Sequence, residues 1–188
     1  MLAITAAPAA AQFSESYNFL NAVRQADGEK ATKALQGSGS TLINTRDYTT
    51  GESALSITIK RRDLTWSNFL LGKGANPNIR DAQGSAPLHI AALLGFTEGA
   101  ELLIGRGAQV NLANSSGETP LIIATQQRNT AMVRLLLANG ANPKQGDRIA
   151  GKSARDYAAD DPRGAAVLKL LNEAPAVKDK PKMSGPGL

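Results

Sequence analysis

The sequence predicts an all-α repeat solenoid of stacked helix–turn–helix units with short β-hairpin loops, and three periodic series carry that prediction. Gly51, Gly84 and Gly117 stand 33 residues apart. The triplets Gly74-Ala75-Asn76, Gly107-Ala108-Gln109 and Gly140-Ala141-Asn142 keep the same step. So do two apolar files, Leu55, Leu88 and Leu121 in one and Leu70-Leu71, Leu103-Ile104 and Leu136-Leu137 in the other. Self-similarity at a fixed period means a stacked array, because one unit cannot bury its apolar face alone. Each period carries two turn signals. One glycine permits the tight hairpin before the first helix, and the Gly-Ala pair ends the second helix where left-handed backbone is needed.

The stretches that open each unit justify the helices in order. Gly51-Glu52-Ser53-Ala54-Leu55-Ser56 starts the first good unit without a proline to preset the helix. Gly84-Ser85-Ala86-Pro87-Leu88-His89-Ile90-Ala91-Ala92 and Gly117-Glu118-Thr119-Pro120-Leu121-Ile122-Ile123-Ala124 start the next two, each followed by a Leu-rich second helix. These stretches resemble the T-P-L-H-x-A signature of ankyrin repeats, and the Gly-Ala-Asn-Pro and Gly-Ala-Gln-Val-Asn endings fit the same family. A single match would be weak; three in register at a constant period are specific.

The flanks fit atypical end units. Residues 16–36 give two short helical patterns around Asp27-Gly28, then a loop at Gly37-Ser38-Gly39-Ser40, one residue longer than the family spacing. At the other end Gly151-Lys152-Ser153-Ala154-Arg155-Asp156-Tyr157-Ala158 keeps the register one residue late, with Arg155 where a buried Leu would stand. A charge at a core position suits a terminal cap. The expected division is a leader (1–12), an N-terminal capping repeat (13–47), three repeats (48–81, 82–114 and 115–147), a C-terminal capping repeat (148–173) and a tail (174–188).

Composition agrees with one domain of this kind. Hydrophobic residues make up 42% of the 188 but aromatics only 4%, so the core is Leu, Ile and Ala. No apolar run approaches the ~18 residues of a membrane-spanning helix. The absence of cysteine excludes disulfides, thiol catalysis and Cys-bound zinc. Residues 1–12 look like the back half of a secretory signal, with Ala9-Ala10-Ala11 as the cleavage site. That reading implies a bacterial periplasmic protein; an alanine-rich leader that is not a signal implies the cytoplasm. Net charge is +5, of which Lys178, Lys180 and Lys182 less Asp179 contribute +2 from the tail. The remaining +3 is scattered, its tightest cluster Lys60-Arg61-Arg62, without the stacking aromatics or motif of a nucleic-acid reader.

Catalytic and ligand chemistry finds little support. Gly146-Asp147-Arg148-Ile149-Ala150-Gly151-Lys152-Ser153 matches the phosphate-loop pattern G-x-x-x-x-G-K-[ST]. A true loop follows a buried apolar strand, and here Asn139 to Gln145 is turn chemistry. His89 is the only histidine, so no His cluster can form, and in ankyrin repeats the matching His is a structural hydrogen-bonding residue. Asp156, Asp160 and Asp161 are an acidic group at a helix end, and Trp66 is expected to pack in a second helix. Asn114-Ser115-Ser116 is a formal glycosylation triplet at a hairpin tip.

The ankyrin resemblance implies a non-catalytic protein-binding module with no cofactor and no metal, a monomer that takes an unidentified protein partner along its hairpin tips and first helices. Matched by the repeated glycine, the tip positions are Thr49, Thr50 and Glu52, then Ala82, Gln83 and Ser85, then Ser115, Ser116 and Glu118. On the first helices the outward pairs are Lys60 and Arg61, Leu93 and Leu94, and Gln126 and Gln127, with Lys73, Arg106 and Asn139 near the second-helix ends. The Leu93-Leu94 pair stands where its neighbours are polar, which marks it as an anchor. Two other classes compete: an envelope component tethered by the basic tail, and a nucleotide-binding protein using Gly146 to Ser153.

Overall fold

The computed structural model describes residues 15–174. The leader and residues 175–188 of the tail lie outside them. Among the described residues ten α-helices follow in chain order: α1 Glu15–Arg24, α2 Gly28–Ser38, α3 Ala54–Lys60, α4 Leu64–Gly72, α5 Pro87–Leu94, α6 Thr97–Gly105, α7 Pro120–Gln126, α8 Thr130–Ala138, α9 Ala154–Asp160 and α10 Ala165–Glu173. Odd-numbered helices form one row, α1 on α3, α3 on α5, α5 on α7 and α7 on α9. Behind them α4 packs on α6, α6 on α8 and α8 on α10. The core runs along the seam between the rows. Leu55, Leu88 and Leu121 are at most 1% exposed in the first row, and Leu70, Leu103 and Leu136 are fully buried in the second. This is the all-α repeat solenoid that the periodicity predicts.

Local chemistry starts each first helix. Ser53 and Thr119 hydroxyls accept the backbone N–H groups of Ser56 and Ile122, closing the first turns of α3 and α7. Ser53 makes this cap without the N-terminal proline that α7 has beside it. Ser153 caps α9, and its own N–H and hydroxyl donate back to the Asp156 carboxylate at 2.8 and 2.6 Å. In α5 the capping position is Ala86, and His89 Nδ1 accepts its N–H at 3.1 Å instead.

Two seams join consecutive units. At the hairpin tips the N–H of Ala82 donates to Thr50 O, that of Ser115 to Gln83 O and that of Arg148 to Ser116 O. Below the tips Asn44, Asn78 and Asn111 each clamp the following unit. Their Oδ1 atoms accept from the N–H of Asn76, Gln109 and Asn142, at 2.7, 2.8 and 2.7 Å. Their Nδ2 groups donate to the carbonyls of Gly74, Gly107 and Gly140.

The structure moves one sequence expectation. Gly37-Ser38-Gly39-Ser40 is not a loop: α2 runs through Ser38, and a 3-10 turn, Gly39–Asn44, follows at once. The extra residue sits instead at the first hairpin tip. Asp47 stands four residues before Gly51, whereas Asp81 and Asn114 stand three before Gly84 and Gly117. Asp147 again stands four before Gly151, which accounts for the late register of the last unit. Arg155 is half-buried on α9 and donates to Leu171 O at 3.1 Å, so the charge at a core position ties α9 to α10.

The turn from first to second helix takes a left-handed residue in the first four units, at Ala26, Arg62, Gly95 and Arg128, whereas Asp161 and Gly164 between α9 and α10 keep negative φ. The two arginines take up this strained backbone and use their side chains to bridge forward. Arg62 donates to Leu94 O at 3.1 Å, and Arg128 pairs with Asp161 at 3.0 Å.

A candidate protein-binding groove

The hairpins stand over the first-helix row and leave a groove of about 560 Å³ between them. Its wall on the hairpin side is Asp81, Gln83, Ser85, Asn114 and Glu118. Its helical side is Lys60, His89, Ile90, Leu93, Leu94, Ile123 and Gln126, from α3, α5 and α7. Seven residues expected at the contact face therefore meet here: Lys60, Gln83, Ser85, Leu93, Leu94, Glu118 and Gln126. Leu93 is 56% exposed and Leu94 38%, so neither is packed beneath Phe96, which is itself buried.

The remaining expected residues fall around this groove or away from it. Thr49 and Thr50 are at the first tip, and Glu52 turns its carboxylate to the Lys60 ammonium at the groove edge. Ser115 and Ser116 join the tip seam through their backbones. Gln127 is the C-cap of α7. Arg61, the C-cap of α3, turns back toward the first unit: its guanidinium donates to Val23 O at 2.7 Å and pairs with Asp63 at 3.1 Å. Lys73, Arg106 and Asn139 do not line the groove. They cap second helices in the rear row, where Arg106 donates to Asn68 on α4 and Asn139 to Leu135 on its own helix. The physical reason is that second helices lie behind the first, so their C-caps cannot reach the front.

Sequence reasoning missed Asp81, Asn114, Ile90 and Ile123. For the first two a signal exists: both stand three residues before the repeated glycine, the position whose side chain folds the hairpin. Asp81 Oδ1 accepts the N–H of Gln83 and of Ser85 at 2.9 and 2.8 Å. Asn114 Oδ1 accepts the N–H of Glu118, and its Nδ2 donates to that residue's carboxylate, both at 2.9 Å. The Asn114 side chain of the glycosylation triplet is thereby buried and engaged within its own hairpin.

Asp147 does the same at the last tip, inside the phosphate-loop pattern. Its Oδ1 accepts the N–H groups of Ile149, Ala150 and Gly151 at 2.9, 2.7 and 3.2 Å, so the chain's own carboxylate fills the nest that a phosphate would need. Its Oδ2 accepts from Tyr157 at 2.6 Å, which holds the carboxyl below its ordinary value and pushes the phenol up to about 12. Lys152 pairs with Asp160 at 2.8 Å, and the Ser153 hydroxyl is spent on Asp156. The acidic group is likewise divided, Asp156 to Ser153, Asp160 to Lys152 and Asp161 to Arg128. Among the described residues no cluster of metal-binding side chains occurs, and no helix is long and apolar enough to cross a membrane.

His89 is 2% exposed in the groove wall, and its Nδ1 must stay unprotonated to accept from Ala86. Burial, the largest cause, pushes the ring below its ordinary value of 6.5. A folded value below the unfolded one means that the unfolded chain takes up protons first. Stability is therefore whole above about pH 6.5 and falls with pH between the unfolded and folded values, by at most about 1.4 kcal/mol per pH unit. His89→Gln keeps an acceptor for the cap but does not titrate. Urea midpoints measured near pH 7.5 and near pH 5.5 are expected to differ for wild type and to move much less in the variant; equal shifts would remove His89 as the cause.

A family model of ankyrin repeats matches the chain three times, over residues 19–114, 55–147 and 101–180. The matches overlap and together span the described helices from within α1 to the end of α10. Proteins built this way are generally protein–protein interaction scaffolds and not enzymes. With the paired helix rows, the hairpin seam and these matches in agreement, the chain belongs to the ankyrin repeat family.

Proposed function

We propose that this chain is a non-catalytic binding module that holds a segment of a partner protein in the groove over α3, α5 and α7. The observation that carries the reading is the exposed Leu93-Leu94 pair, set on an apolar floor of Ile90 and Ile123. Corresponding positions in the flanking units are Lys60-Arg61 and Gln126-Gln127, polar residues that suit water. Side-by-side leucines ringed by polar groups are the composition of an interface anchor. The one cation of the groove, Lys60, is neutralised by Glu52, while Asp81 and Glu118 leave the hairpin wall acidic. A partner segment with an apolar side chain for the leucines and a basic neighbour for that wall suits both surfaces.

The test is affinity capture from the source cell with wild type beside Leu94→Asp, whose fold is checked by circular dichroism. The variant is expected to lose at least about tenfold in affinity, since an anchor truncation typically costs upward of about 1.4 kcal/mol. A folded Leu94→Asp that captures the same partner equally well moves the site off α5. Deleting 175–188 is expected to leave capture intact; loss with that deletion would favour tethering through the basic tail.

A further inference from the structure

The rear row of helices has a break that the front row lacks. α4, α6, α8 and α10 pack consecutively, but α2 makes no comparable contact with α4 among the described residues. The gap is an open cleft of about 250 Å³, lined by Ala26, Gly28 and Thr32 on one side and Thr65, Trp66 and Phe69 on the other. Its floor is aromatic, with the Trp66 and Phe69 rings set edge to face and their centroids 5.9 Å apart. That floor is peculiar to this unit: the place of Trp66 is taken by Gly99 in α6 and by the fully buried Met132 in α8. Opposite the rings the first unit presents only small side chains, and a Cβ added at Gly28 would lie 3.9 Å from the indole.

Two cations, outside the lining itself, stand over the two rings of the floor. The Arg61 guanidinium lies 5.7 Å over the Trp66 ring and is already paired with Asp63. The Lys73 ammonium lies 5.8 Å over the Phe69 ring, and among the described residues it has no carboxylate partner. We infer that this rear cleft is a second docking site, separate from the front groove, for an acidic peptide segment that inserts one aromatic side chain. The volume decides the scale, since small-molecule pockets generally begin at about 300 Å³. A single ring fits against Trp66 and Phe69, where edge or offset stacking adds to its burial. An adjacent carboxylate pairs with Lys73, which fixes the sign of the partner's charge.

Trp66 is the only tryptophan of the chain, so its fluorescence reports this cleft alone. The probes are the blocked peptides acetyl-Glu-Glu-Phe-Glu-Glu-amide, its Phe→Ala form, and acetyl-Lys-Lys-Phe-Lys-Lys-amide, titrated into the whole chain. The first is expected to change Trp66 emission saturably at concentrations up to about 1 mM, and the other two to bind at least about tenfold more weakly. Gly28 is exposed at the first position of α2, so Gly28→Leu fills the cleft without entering the core. That variant and Lys73→Glu are each expected to weaken the first peptide about tenfold or more, while Leu94→Asp leaves it unchanged. No saturable change, an equal response to the basic peptide, or binding that survives Gly28→Leu in a folded protein would overturn the inference.

Discussion

Gly84→Ala is expected to destabilise the array by about 2–4 kcal/mol, well beyond the cost of its backbone conformation alone. Gly84 has φ +76°, where a side chain costs about 1–2 kcal/mol. A Cβ there would also lie 2.7 Å from the backbone nitrogen of Ser115, the atom that donates across the tip seam to Gln83. Backbone cannot step aside as the end of a flexible side chain can, so the hairpins must part. Gly151 supplies the control. Its φ is +67°, but nothing lies within 4 Å of a Cβ built there, because no described hairpin follows it. Gly151→Ala should therefore show the conformational cost alone. Urea midpoints of the two variants measure the difference, and equal losses would mean that tip contact adds nothing.

Leu103→Ala is expected to cost about 2–5 kcal/mol, the range for a leucine truncated in a core that cannot collapse around the cavity. Leu103 is fully buried on α6, which packs on α5 within its unit and on α4 and α8 to either side. In an array held together by neighbours, damage at a central unit weakens both adjoining interfaces. Denaturation should then remain a single transition at lower urea. Leu168→Ala, on half-buried Leu168 of the terminal α10, should cost only about 1 kcal/mol. A biphasic curve for Leu103→Ala would show instead that the two halves unfold independently.

The legible part of this molecule is the part written by period. Leu55, Leu88 and Leu121 recur because each fills the same hole, so repetition located the core, the helices and the hairpin glycines without any structure. Positions where a unit differs from its neighbours were legible only when chemistry broke the pattern visibly, as Leu93-Leu94 did between Lys60-Arg61 and Gln126-Gln127. Depth was the weakest inference. Lys73 and Arg106 recur in register like the groove residues, and a linear period cannot distinguish the front row from the rear. The Gly37 to Ser40 run has loop composition, yet the chain winds it into helix and a 3-10 turn that leads to Asn44, the first of the clamps. Asp81 and Asn114 were readable in principle, since an Asx side chain before a tight glycine turn has a known use. The cleft at Trp66 was not, because it depends on two helices failing to meet.

The asparagine clamps carry a consequence for how such a chain can change length. Asn44, Asn78 and Asn111 all belong to the earlier unit of a pair, and every atom their side chains grip in the later one is backbone. Asn76, Gln109 and Asn142 are held alike because only their N–H groups are read. The clamp therefore asks of the unit that follows only its left-handed glycine turn, at Gly74, Gly107 and Gly140, so units that share that turn present matching connectors. A segment cut from Ile79 to Asn111 starts just after one clamp and ends on the next, so copying or excising it leaves every clamp complete. The exposed groove residues, Leu93, Leu94 and Gln126, can then diverge without touching the clamps, which separates part of what the protein recognises from what keeps it folded.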